Sequence, residues 1–141
     1  MQHTVQINQW QPDLLASHAQ EIVAQLEAGK VIYFPALGFD FTEDEQSLWS
    51  IIPQGAKNIS YDCKNQSLRG LGDQRAAGAL RNMMHRYYQL SAQLLDNIAP
   101  QYQVLQHTGR TSYRPIEIKG RIPPSYRKDD TRLHVDAFPS T

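Results

Sequence analysis

Between Asp73 and Ile98, apolar side chains return at every third or fourth position: Leu80, Met83, Met84, Tyr87, Leu90, Leu94 and Ile98. That spacing lays them along one stripe of a 3.6-residue helix, and Pro100, which has no amide hydrogen to give, stops it. The stripe, including Met83, Met84, Tyr87 and Tyr88, reads as core packing in preference to a lipid groove. After Pro100 the helical period disappears. The segment "YQVLQHTGRTSYRPIEIKGRIPPSYRKDDTRLHVDAF" is rich in β-formers and turn residues, which predicts strands near 102–107, 111–118 and 131–136, with 119–130 as an exposed loop. Three such strands are too few to close on themselves and leave an open edge.

The earlier part is mainly helical. "PDLLASHAQEIVAQLEAGK" sets Leu15, Ala19, Ile22, Val23 and Leu26 at helical spacing, with Gly29 placed to end the helix in a left-handed conformation. "VIYFPAL" is a short β-rich run cut off by Pro35. "TEDEQSLWSIIP" starts with Thr42 and Glu45 at capping-box spacing and predicts a second, shorter helix. From Pro53 to Asp73 the pattern weakens, and "SYDCKNQSLRGLGD" reads as a loop, with a strand turn in it as the alternative. The expected architecture is therefore α+β in a single domain over 1–141, with 1–100 mainly helical and the first strands of a β element in 101–141.

Charge and cysteine content narrow the function classes. Fourteen basic residues balance fourteen acidic ones, so no global field recruits nucleic acid. The balance is uneven along the chain: residues 1–50 carry a single lysine and seven acids, while 51–141 carry thirteen bases and seven acids. Cys63 is the sole cysteine, which excludes an internal disulfide and a cysteine-based zinc site and suits a reducing cytosol. The start "MQHTVQINQW" has neither a basic n-region nor an apolar h-region, and no stretch approaches the roughly 18 apolar residues of a spanning helix.

The residues that point to chemistry are His134 and Asp136, in "RLHVDAF". In an extended strand, residues i and i+2 point the same way about 6.6 Å apart, so the imidazole and the carboxylate can converge on one ion while Leu133 and Val135 face the other side. One histidine and one carboxylate are two of the three ligands of the facial triad that holds Fe(II) in oxygenases. With five histidines and nine aspartates in the chain, an H-x-D arises by chance about 0.3 times, so the tripeptide needs its context. By itself it leaves open a strand histidine hydrogen-bonded to its neighbours.

That context is "DDTRLHVDAFPS", which closely resembles the metal-binding strand of the Kdo 3-hydroxylases, a family of Fe(II)/2-oxoglutarate-dependent dioxygenases. "TSYRPIEIKGR" resembles the segment preceding it there; the similarity is concentrated over 111–140 and extends more diffusely to the helical part, including "LRGLG". The resemblance implies helices packed on the start of a double-stranded β-helix, the jelly roll, with the barrel incomplete in this chain. It implies Fe(II) as cofactor, 2-oxoglutarate as cosubstrate, hydroxylation of C3 of Kdo on lipid A in lipopolysaccharide modification, and His134 and Asp136 as metal ligands. A cytoplasmic enzyme in peripheral contact with the inner membrane of a Gram-negative bacterium is the matching localisation. In that family the second histidine and the basic residue for 2-oxoglutarate come from strands well downstream of H-x-D, so the chain is expected to be truncated at its C-terminus and inactive alone.

Neighbouring residues take subsidiary roles on the same reading. Arg132 shares the face of His134 and either orients the site or pairs with Asp129 or Asp130. Tyr113 and Arg114 suit a carboxylate of the acidic sugar or of 2-oxoglutarate, against strand packing for Tyr113 and solvent for Arg114. Arg110, Lys119, Arg121, Arg127 and Lys128 either converge on a phosphorylated headgroup or are dispersed in solvent. His107 is the best internal candidate for a third ligand, although a core or surface role is the ordinary one; His3, His18 and His85 have solvated or packed roles by default. Other readings stay open: a noncatalytic jelly-roll sugar-binding module, a 2-oxoglutarate oxygenase with another substrate, or an incomplete reading frame.

Overall fold

The structure, a computed structural model, describes residues 4–8, 12–51, 58–115, 122, 125, 126 and 129. Its elements are β1 (Thr4–Gln6), α1 (Pro12–Ser17), α2 (Ala19–Glu27), β2 (Val31–Tyr33), α3 (Glu43–Gln46), β3 (Ile59–Asp62), β4 (Ser67–Arg69), α4 (Ala77–Ile98) and β5 (Thr111–Tyr113). The long stripe is α4, a helix of 22 residues entered through a 3₁₀ turn at Gln74–Ala76. Asp73 starts that turn by accepting from the Arg75 amide at 2.9 Å.

Helix α4 ties two apolar clusters together. Around its first half, Leu80, Met83 and Met84 pack with Leu48, Ile59 and Tyr61, all buried, and with Leu68 and Tyr113 at the margin. Around its end, Ile98 and Ala99 pack with Leu15, Ile22 and Val23 of the first two helices, with Leu94 and Tyr102 beside them. Each fully buried large side chain contributes about 1.5–3 kcal/mol, so the two clusters together hold both ends of the helix in place. The stripe is thus core at its ends, while Tyr87 in the middle is half exposed.

The N-terminal helix is two helices. Continuity breaks at His18, whose amide bonds the Leu15 carbonyl at 3.1 Å in a tight turn. Four of the five expected core positions, Leu15, Ala19, Ile22 and Val23, are buried; Leu26 lies at the rim, 38% exposed. Gly29 ends α2 at φ +76°, as the sequence requires. The next run forms β2, which pairs in parallel with β1 in the register Thr4↔Val31, Val5↔Ile32, Gln6↔Tyr33. β1 comes from a stretch not read as a strand from the sequence, although Val5 and Ile7 alternate with Gln6 and Asn8; its pairing is with β2, and the Ile7 amide extends the ladder to the Tyr33 carbonyl at 2.8 Å.

The capping box forms. Thr42 accepts from the Glu45 amide and the Glu45 carboxylate returns to the Thr42 amide at 3.0 Å. α3 then tightens within one turn into a 3₁₀ segment, Ser47–Ser50, which seats Leu48 in the core. Glu45 is buried and ion-paired with Arg86 of α4, whose guanidinium also donates to the Asp40 carbonyl from two nitrogens at 3.1 Å and lies 4.9 Å over the Phe39 ring.

Two expectations past residue 53 are overturned. "SYDCKNQSLRGLGD" is not a plain loop; the alternative, a strand turn, is what forms, as a β-hairpin in which β3 and β4 pair antiparallel in the register Ser60↔Arg69, Tyr61↔Leu68, Asp62↔Ser67. Its turn is closed by side chains, Asp62 accepting from the Lys64 amide and Asn65 from the Ser67 amide, with Gln66 at φ +53°. The strand expected at 102–107 is a 3₁₀ helix, Pro100–Leu105. Proline at its first turn favours that conformation, and with Val104 91% exposed no strand among the described residues rewards extension there. Tyr102 pins this turn to α2 by donating to the Glu27 carboxylate.

β5 covers only the start of the strand expected at 111–118 and pairs antiparallel with β3, giving the order β4-β3-β5. The rest of that strand, the strand at 131–136 and most of the loop at 119–130 lie outside the described residues. An α+β architecture with open sheets is thus established over the described residues.

Candidate functional site

Strand alternation gives the three-stranded sheet two unlike faces. Ile59, Tyr61, Leu68 and Tyr113 point to α4 and belong to the apolar cluster. The register then places Ser60, Asp62, Ser67, Arg69 and Ser112 on the opposite face. Arg110, just before β5, reaches across that face: Nε donates to Ser60 Oγ at 3.2 Å and Nη1 to Asp62 Oδ2 at 3.2 Å. Asn58 fixes Ser112 with a 2.9 Å bond to its hydroxyl.

The apolar face carries its own polar links. Tyr61 is fully buried and its hydroxyl lies 2.9 Å from His85 Nδ1, with the His85 ring packed between Tyr61 and Tyr88. Burial, and next the neighbouring Cys63 thiol, push the Tyr61 phenol above its ordinary range. Tyr113 donates its hydroxyl to the Leu48 carbonyl at 2.8 Å, and burial raises its pKa too. Its proton is therefore committed inside the fold, which is the strand-packing alternative considered for it. Arg114 is exposed just beyond β5.

A cleft of about 540 Å³ opens between α4 and residues 106–112, walled among others by Tyr87, Tyr88, His107 and Ser112. His107 is exposed there. A smaller, mainly apolar hollow of about 260 Å³ lies beside it among Phe39, Phe41, Met83, Met84 and Tyr87.

His134 and Asp136, with Arg132, Lys119, Arg121, Arg127, Lys128 and His3, lie outside the described residues. Among the described residues no group of three His, Cys, Asp or Glu side chains is placed to hold a metal ion. Among the described residues neither His107 nor His85 belongs to such a group. The Arg110 brace was missed at the level of sequence because its partners lie about fifty residues upstream. The signal that could have shown it is the alternation of "ISYD", two apolar side chains on one face and Ser60 and Asp62 on the other.

Comparison with known proteins gives this geometry its relatives. The model of the family described as 3-deoxy-D-manno-oct-2-ulosonic acid (Kdo) hydroxylase matches residues 9–141. Among solved structures, the chain is similar to the Kdo hydroxylase KdoO, a non-heme Fe(II) alphaketoglutarate dependent dioxygenase, in complex with cobalt(II). The TM-score is 0.81 at 38% identity, over 99% of this chain and 48% of that one. It is similar also to KdoO in complex with alphaketoglutarate and Fe(III), with a TM-score of 0.76 at 34% identity, over 99% of this chain and 47% of that one. No curated protein sequence matches. The chain spans about half the length of the hydroxylase chains it resembles. With the helical layer, the hairpin and β5 all inside a match that runs from residue 9 to residue 141, the chain belongs to the Kdo hydroxylase family.

Proposed function

We propose that this chain forms part of an Fe(II)/2-oxoglutarate-dependent dioxygenase that hydroxylates C3 of Kdo on lipid A, with the helical layer and the sheet β4-β3-β5 serving as one wall of a jelly roll. The observation that carries this reading is the fold likeness to KdoO at 38% identity over 99% of the chain. His134 and Asp136 are the proposed iron ligands. Bound iron with 2-oxoglutarate would supply the oxidising power for C–H hydroxylation. The described residues contribute a scaffold: α4 and its apolar cluster hold β3 and β5 rigidly, which fixes where the following strands can pair. Arg132 and Arg114 are proposed to meet carboxylates near the metal. Tyr113 would serve that region through its bond to Leu48, which sets the height of β5 on the core. The enzyme is proposed to work in the cytoplasm, at the inner face of the inner membrane.

The test is a chimera in which residues 1–141 replace the matching part of KdoO. Iron-dependent release of succinate from 2-oxoglutarate, stimulated by Kdo-lipid A, is the expected result, and His134→Ala in the chimera should abolish it with the circular dichroism spectrum retained. A folded chimera with no turnover, or turnover indifferent to His134→Ala, rules the assignment out.

A further inference from the structure

The sheet β4-β3-β5 spends one face on α4; the other face is polar and, among the described residues, has no element packed on it. Alternation brings Ser60, Ser67 and Ser112 to that face, with Arg69 directly opposite Ser60. Arg110 lies across them. Two guanidinium groups, Arg69 and Arg110, thus stand against the carboxylate of Asp62, which gives the face a positive balance among the described residues.

Arg110 is the built part of this surface. Asp62 and Ser60 hold its Nη1 and Nε, and among the described residues Nη2 makes no hydrogen bond. A guanidinium fixed by two partners loses little freedom when it takes a third, and its planar fork matches a carboxylate. Around it sit hydroxyl groups, one already oriented by Asn58. A cation with a spare donor edge beside a row of hydroxyls suits a ligand bearing one carboxylate and several hydroxyls better than it suits a bare dicarboxylate or an apolar chain.

We infer that the polar face of β4-β3-β5 binds the carboxylate-bearing, hydroxyl-rich head of an acidic sugar, with Arg110 as the carboxylate partner and Asp62 and Ser60 as the residues that position it. This rests on the hydroxylase reading for the choice of sugar. It does not depend on iron.

The experiment is a titration of the isotope-labelled 141-residue chain, without metal, with free Kdo, with Kdo-lipid A in detergent micelles, and with 2-oxoglutarate, followed by amide and arginine side-chain resonances. Saturable shifts at Arg110, Ser60 and Ser112 with either Kdo probe are expected; the probe that saturates at the lower concentration identifies the free or lipid-linked form as the natural source. Arg110→Gln should weaken binding roughly tenfold or more, Arg110→Lys less, and Arg75→Ala, a substitution at an exposed pair with Asp73 outside the sheet, not at all. The dispersion of each variant's spectrum reports whether it is folded. Equal shifts with 2-oxoglutarate, shifts confined to other surfaces, or unchanged affinity in folded Arg110→Gln overturn the inference. Turnover by the chimera with no Kdo shifts at this face would sink the inference and leave the hydroxylase reading standing; the opposite pattern would do the reverse.

Discussion

Single residues in this protein carry costs that their neighbours offset. Glu45 is the clearest: a buried carboxylate tolerated because it closes the capping box with Thr42 and pairs with Arg86. Removing one partner of such a pair leaves a buried charge without compensation. Arg86→Ala should therefore lower stability by about 2–4 kcal/mol in urea unfolding, and adding Glu45→Gln should restore part of it, because an amide desolvates more cheaply than a carboxylate. Gln66 shows the backbone counterpart. A side chain at φ +53° holds a strained left-handed conformation, which Arg81 helps to fix by donating to the Gln66 carbonyl at 3.0 Å. Gln66→Gly relieves that strain and leaves the carbonyl in place, so an increase in stability of up to about 1 kcal/mol is expected in the same assay.

Among the elements, α4 does the organising, because its two ends belong to different clusters. Leu80, fully buried against Ile59 and Tyr61, is the side chain that fastens the sheet to the helix. Leu80→Ala should cost about 2–5 kcal/mol, and hydrogen exchange should speed up at β3 and β5 more than at α1 and α2. Equal acceleration in both regions would show that the two clusters open as one unit. The hairpin β3–β4 matters for a different reason. Its alternation presents apolar residues to the helix and polar ones away from it, so one short strand serves both the core and the proposed sugar-binding face. A one-residue slip of register would exchange those roles, and the side-chain bonds that close its turn, from Asp62 and Asn65, guard against it.

For the molecule as a whole, the buried phenol of Tyr61 and the partly buried one of Tyr113 set a limit at high pH. Both have pKa values raised by burial above the ordinary value near 10, Tyr61 further by Cys63. A phenol whose pKa is higher in the fold than in the unfolded chain contributes stability that is complete below pH 10 and lost as pH climbs through the folded value. The melting temperature should hold below pH 10 and fall beyond it, and Tyr61→Phe should flatten that fall, at the expense of the hydroxyl's bond to His85. A melting temperature that falls as steeply in Tyr61→Phe would assign the effect to other groups. Among the described residues no helix is long and apolar enough to cross a membrane. A peripheral contact would therefore need a surface, and the half-exposed aromatic run of Phe41, Trp49 and Tyr87 is acidic nearby, at Asp40, Glu43 and Asp44. Anionic lipid would be repelled there.

The readable parts of the sequence were those where local chemistry and burial agree. The stripe of α4, the glycine stop at Gly29 and the Thr42–Glu45 capping box each depend on residues within a few positions of one another, and each formed as its spacing dictates. The motif around His134 and Asp136 is legible on other grounds, since unusual composition over a contiguous stretch carried the family resemblance that the comparison then bore out. What tertiary structure decided was pairing across distance. β1 is a strand because β2 offers it an edge, and Val104 and Leu105, β-formers by composition, sit in a 3₁₀ turn with no strand paired to them among the described residues. Arg110 acquires its orientation from Ser60 and Asp62 only once β3 and β5 lie side by side. Helices and caps are settled by neighbours in the chain, whereas strands and braced side chains are settled by whichever distant segment the fold brings alongside.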